Sequence, residues 1–167
     1  MNKNDSRLLS LISDKLEEEG IYSEFSEYGG EAALELIYED AGEFAPKDCT
    51  VTVMHPKEGT TLIQLLVTML QTDDENTLET IASLVPQFNN VLSIGAFGLM
   101  RSDGYFYLNY AFVVEPLDEN DILSVFGSAL QVISITAHRC GEALSAILSG
   151  KVSPDVLKEE GYGLAQF

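Results

Sequence analysis

The stretch "GLMRSDGYFYLNYAFVV" (residues 98–114) leaves this chain few choices of fold. Between positions 105 and 112 it carries five aromatic rings, on Tyr105, Phe106, Tyr107, Tyr110 and Phe112. Side chains of a strand alternate between faces, so a sheet with one buried face needs an apolar residue only at every second position. Here Phe106, Leu108, Tyr110 and Phe112 fall on one face, and Tyr105, Tyr107, Ala111 and Val113 on the other. Both faces read as apolar, and the second needs a cover.

The neighbouring segments give that strand its company. Leu8, Leu9, Ile12 and Leu16 share one side of a helix over 6–19, with Asp5 or Ser6 as cap and Gly20 as stop. "IYSEFSE" (21–27) and "ALELIYE" (33–39) alternate about Tyr28-Gly29-Gly30 and read as a hairpin, with Ile21, Ser23 and Phe25 inward. The second arm also suits a helix, because Ala, Leu and Glu favour one; alternation decides for a strand. "CTVTVMH" (49–55) is β-branched, and a turn at 56–59 leads into the long apolar strand "TTLIQLLVTMLQ". A helix over 73–85 follows, capped by Asp73 or Asp74 and ended or kinked by Pro86. The aromatic hairpin (92–114) turns at Ser102-Asp103-Gly104, and residues 116–150 form one helix between Asp118 and Gly150. The order α-β-β-β-β-α-β-β-α is that of an α+β protein, an antiparallel sheet with helices packed on it. Residues 1–150 make one domain and 151–167 a weakly specified tail. Two strand–acidic corner–helix passages, "DDENTLETIASLV" and "LDENDILSVFGSAL", hint at a doubled ββα unit, although capping chemistry accounts for them as well.

Charge narrows the partners. The chain has 27 acids against 9 bases, a net charge of −18, and its bases are scattered. Nucleic acid and anionic membrane surfaces both demand clustered Lys and Arg, so neither is expected as a partner. Cys49 and Cys140 form no CxxC pair, the N-terminus lacks a signal-peptide core, and "LIQLLVTML" is too short to span a bilayer. A cytoplasmic location is the expectation.

No residue set reads as catalytic. His138 and Cys140 stand at i and i+2 of one helix and point apart, and His55 precedes Pro56 at a strand end. A small hydrolase would need His55 and His138 to converge in one pocket. "DDEN" and "DEND" lack the twelve-residue calcium loop, "GAFG" lacks a phosphate-cradling pattern, and Glu31, Glu35 and Glu39 select no ion. Neither metal nor cofactor is expected.

"LVPQFNNVL", running into "SIGAFGLMRSDGYFYLNYAFVVEPL" and on to "DENDILSVFGSAL", is similar to the YbjN-like family of bacterial sensory transduction regulators. The likeness is best over 75–150; over 6–70 only the order of elements supports it. That resemblance implies a fold like that of type III secretion chaperones: a curved antiparallel sheet, helices packed on it, and pairing into a homodimer. Chaperones of that fold are small and acidic, and hold extended segments of other proteins on apolar surface.

The excess of apolar surface points the same way. In the long helix Ile122, Phe126, Ala129, Ile133, Ala137, Cys140, Leu144 and Leu148 trace one stripe, while Val125, Leu130, Val132 and Ile135 lie elsewhere around it. Large bare apolar patches are uncommon on soluble monomers, so the chain itself, a second copy or an extended protein segment must cover them. The expectation is a non-enzymatic, homodimeric protein-binding module with Tyr105, Tyr107, Val113, Val125, Val132 and Ile135 at its interface. The alternative is a small-ligand sensor with an enclosed cavity.

Overall fold

Period-two alternation divides the strands into a helix side and an open side. The computed structural model describes residues 3–37, 46–92 and 94–155. In chain order these form α1 (Lys3–Glu18), β1 (Ser23–Tyr28), β2 (Glu31–Ile37), β3 (Asp48–Lys57), β4 (Thr60–Gln71), α2 (Glu75–Val91), β5 (Ala96–Met100), β6 (Tyr105–Val113) and α3 (Glu119–Leu148). This is the expected α+β order. Six antiparallel strands make one open sheet in the order β1-β2-β3-β4-β6-β5. The second arm of the first hairpin is a strand, and residues 38–45 and 156–167 lie outside the described residues. The hairpins β3-β4 and β5-β6 abut through their second strands, each followed by a helix, as a local two-fold axis would place a doubled ββα unit.

All three helices lie on one side of the sheet. Cys49, Val51, Ile63, Leu65, Val67, Phe106 and Leu108 face them and are fully buried, with Leu9, Ile12 and Leu16 above from α1 and Ile133, Ala137, Cys140 and Leu144 from α3. Phe88, Phe97 and Phe106 pack as an aromatic triplet, with centroids 5.3–6.3 Å apart, and fasten α2 to the β5-β6 hairpin. α3 is about 45 Å long at 1.5 Å per residue. Its length and composition would suit a bilayer span, yet Ile122, Phe126, Ile133, Ala137, Cys140 and Leu144 close the core instead.

Helix ends follow capping chemistry with two corrections. The Asp74 carboxylate accepts from the Thr77 backbone N–H at 2.8 Å and the Asp118 carboxylate from Asp121 at 3.0 Å, as expected. α1 runs from Lys3, so Asp5 and Ser6 lie within its first turns and not ahead of it. Pro86 does not end α2, which continues to Val91. Proline forfeits one helical hydrogen bond, but the last turn carries Phe88, fully buried, and Asn89, which grips β5.

That grip also occupies part of one edge of the sheet. Asn89 Nδ2 donates to the Phe97 carbonyl at 2.9 Å, and the Phe97 N–H donates to Asn89 Oδ1 at 2.6 Å. One side-chain amide thus satisfies both backbone groups of Phe97, as a further strand would. Asn89→Ala should cost about 1–2 kcal/mol in urea unfolding, because two backbone groups lose their partner. The Phe97 amide should also exchange faster with deuterated solvent; unchanged stability and protection would show the grip to be idle.

Candidate functional site

The open side of the sheet is not the oily face that the aromatic strand alone suggests. Register places Thr52 opposite Gln64 and Gln64 opposite Ala111; likewise Thr50 faces Leu66, and Leu66 faces Asn109. β3 and β4 thus present Thr50, Thr52, Gln64 and Thr68 on the side where β6 presents Tyr107, Asn109 and Ala111. Several of these groups bond to one another or to Asp48 across strands. The Thr52 hydroxyl donates to Gln64 Oε1 at 3.2 Å, Gln64 Nε2 to Asn109 Oδ1 at 2.9 Å, and the Thr68 hydroxyl to Asp48 Oδ1 at 2.7 Å. Leu62 and Leu66 alternate with Gln64 and Thr68 on this side, so the face is mixed, polar and apolar, and not the wholly oily one that β6 alone suggests.

The face is also concave. Register shifts at Met54/Lys57 and at Thr68/Leu70 bend the central strands, as bulges do. Ser26 and Tyr28 of β1 consequently line the same cavity as Met100 of β5 and Tyr105 and Tyr107 of β6; its volume is about 570 Å³. Tyr107 is held by an absence. Its ring lies over Gly98, its cross-strand partner, where an added Cβ would come within 2.4 Å of the ring. Asp48 sits half-buried in the wall, and burial lifts its carboxyl above the usual range, partly countered by the Thr68 hydroxyl.

Other reactive groups are dispersed. Burial pushes the Cys49 thiol up to about 12, with the Asp48 charge adding to it, and burial raises Cys140 as well, so neither is a nucleophile near neutral pH. His55 Nε2 meets Asp5 Oδ1 at 2.8 Å beside α1, whereas His138 Nε2 meets Glu142 Oε1 at 3.6 Å on α3. The convergence that a histidine-based hydrolase would need is not found. Among the described residues no three His, Cys, Asp or Glu side chains are grouped to hold a metal; Glu39 lies outside them.

The six expected interface residues fall on two surfaces with the sheet between them. Tyr105 and Tyr107 are half-buried in the cavity wall, and Val113 is exposed at the end of the same strand. Val125, Val132 and Ile135 line the outward side of α3, each a little over one-third exposed. A third surface escaped the sequence. Phe25, expected inward, is 58% exposed, and Tyr22 (61%), Ile37 (49%) and Ile21 (37%) are exposed at the open end of the first hairpin. Alternation assigns Phe25 to the helix side correctly, but no described residue shields it there. Among the described residues β1 is an edge strand with only β2 beside it. Ile21, Tyr22 and Ile37 also rim a groove of about 1180 Å³ between the end of α1 and the first half of α3, floored by Leu36, Phe126 and Leu130.

Asp48 makes the cavity felt in stability. Its folded carboxyl titrates above its unfolded value of 3.8, so the folded protein holds that proton longer. Stability should therefore fall as pH rises from the unfolded value through the folded one. Asp48→Asn keeps an acceptor for Thr68 and lacks this loss. Its stability relative to wild type, from urea unfolding, should rise between pH 3 and pH 7; a constant difference would show that burial exacts nothing from the carboxylate. Compared with known protein families, curated proteins and solved structures, the chain matches none.

Proposed function

We propose that this protein is a non-enzymatic, polypeptide-binding module of the YbjN-like, secretion-chaperone-like kind, working in the cytoplasm as a homodimer. One observation carries the reading: among the described residues β1 is an open sheet edge that carries the exposed Phe25, with exposed Tyr22 and Ile37 at its start. Extended segments add to such edges through backbone hydrogen bonds, while neighbouring apolar surface takes alternate side chains. The groove at Ile21, Tyr22 and Ile37 extends that surface toward α3. A net charge of −18 favours basic segments and steers their approach.

The same charge disfavours contact between two copies, except where charge is lacking. Residues 122–137 of α3 contain no charged side chain. Ser128 lies between Val125 and Val132 on the outward side, continuing to Ile135 at seven-residue spacing, the arrangement that pairs helices. This strip is the proposed meeting place of the copies.

Two measurements test the reading. The protein should suppress aggregation of reduced lysozyme, a basic unfolded chain, far more than that of reduced α-lactalbumin, an acidic one. Tyr22→Ser/Phe25→Ser, which keeps every charge, should lose most of that effect; equal suppression by the variant would sink the edge-binding reading. In light scattering the wild type should have twice the mass of one chain, and Val132→Asp should halve it, since a charge buried in such a contact lacks a partner. A wild-type mass of one chain would sink the dimer.

A further inference from the structure

The cavity on the open side of the sheet has a chemistry that the edge reading does not use. Part of its polar floor is engaged within the sheet, through Thr52, Gln64 and Asn109 in one chain of hydrogen bonds and through the Thr68 hydroxyl on Asp48 Oδ1 in another. What remains for a ligand is the wall. Tyr28, Tyr105 and Tyr107 supply aromatic rings, and Leu66 and Met100 supply apolar atoms. Glu27, Glu35, Asp48 and Asp103 supply carboxylates, and among the described residues no Lys, Arg or His lines the cavity. The acids stand apart on different strands and turns, and no three of them converge as a metal site requires.

We propose that this cavity binds an alkylammonium group, its charged head between tyrosine rings and carboxylates and its methylene chain along Leu66 and Met100. An anion would meet only like charge there. A neutral apolar molecule would draw nothing from the carboxylates and would strip their water. An ammonium ion gains from both the aromatic faces and the acids, and its methylenes use the apolar atoms. The volume, about 570 Å³, lies in the range of small-molecule pockets. Gly98 belongs to the site, because its missing side chain seats the Tyr107 ring.

Two sources could deliver such a group: a free polyamine, or a lysine side chain on a strand added to β1, whose Ser26 and Tyr28 line the cavity. The second source rests on the edge-binding reading above; the first does not. Titration calorimetry on the full chain with spermidine, and with a nine-residue peptide of alternating Thr and Lys, separates them. At least one probe should bind with submillimolar Kd, and its fully acetylated form should not. Glu35→Gln/Asp48→Asn should weaken binding about tenfold or more, as loss of charged partners does. Gly98→Ala should weaken it by displacing the ring, with thermal unfolding showing that each variant remains folded. Glu17→Gln/Glu18→Gln removes the same charge from α1, on the other side of the sheet, and should change affinity less than twofold. Spermidine binding without peptide binding assigns the free amine and counts against lysine delivery at the edge. Peptide binding, alone or with spermidine, assigns the lysine side chain too. Binding of neither probe, or equal weakening in both carboxylate double variants, would overturn the proposal, the latter reducing it to attraction by net charge.

Discussion

Everything in this molecule follows from covering a sheet on one side only. Three helices lie against the side formed by Cys49, Val51, Ile63, Leu65, Val67, Phe106 and Leu108, and these residues are sealed from water. Burying a Leu, Val or Phe side chain is worth roughly 1.5–3 kcal/mol, so this packing sets the register of every strand. A slip of one residue would turn Val51 and Leu65 outward and bring Thr52 and Gln64 into the core. The open side is therefore obliged to be polar or to find company. It does the former in the middle, where amides and hydroxyls answer one another across β3, β4 and β6.

Much of the fold was legible because its residues speak locally. The strand Thr60–Gln71 coincides with its apolar run, Asp118 caps α3 as its position requires, and Gly104 turns the aromatic hairpin. Elsewhere the decisive facts are non-local. Tyr105 and Tyr107 read as oily when β6 is taken alone; the Thr-x-Thr alternation of β3 becomes relevant only when register places it on the same side. Phe25 shows the complementary limit. Alternation tells which side of a sheet a residue faces but not whether a helix extends that far above it. Pro86 shows a third: a local breaking tendency yields where the following turn is anchored by Phe88 and Asn89.

The candidate surfaces were legible in part for the same reasons. Val125, Val132 and Ile135 stand out because the rest of their helix turns inward, a periodicity visible in the sequence. The cavity could not be seen, because it gathers β1 and β5, strands at opposite edges of the sheet, and exists only through curvature. One clue to it lay in the sequence. A glycine flanked by Phe97 and Leu99 inside a strand marks a place where something lies close, and here that is a tyrosine ring.

The amide of Asn89 has a consequence at the scale of assemblies. A sheet with two bare margins can join tail to head without limit, each new member offering the next an identical template, and the product is a filament. Here one margin is partly occupied. A second molecule arriving at β5 finds Phe97 already engaged, so addition at that edge forgoes two backbone hydrogen bonds. Joining at β1 alone is like with like, and it closes after one step. Asn89, at the close of α2, thus takes up backbone groups of β5 that a second molecule would otherwise use.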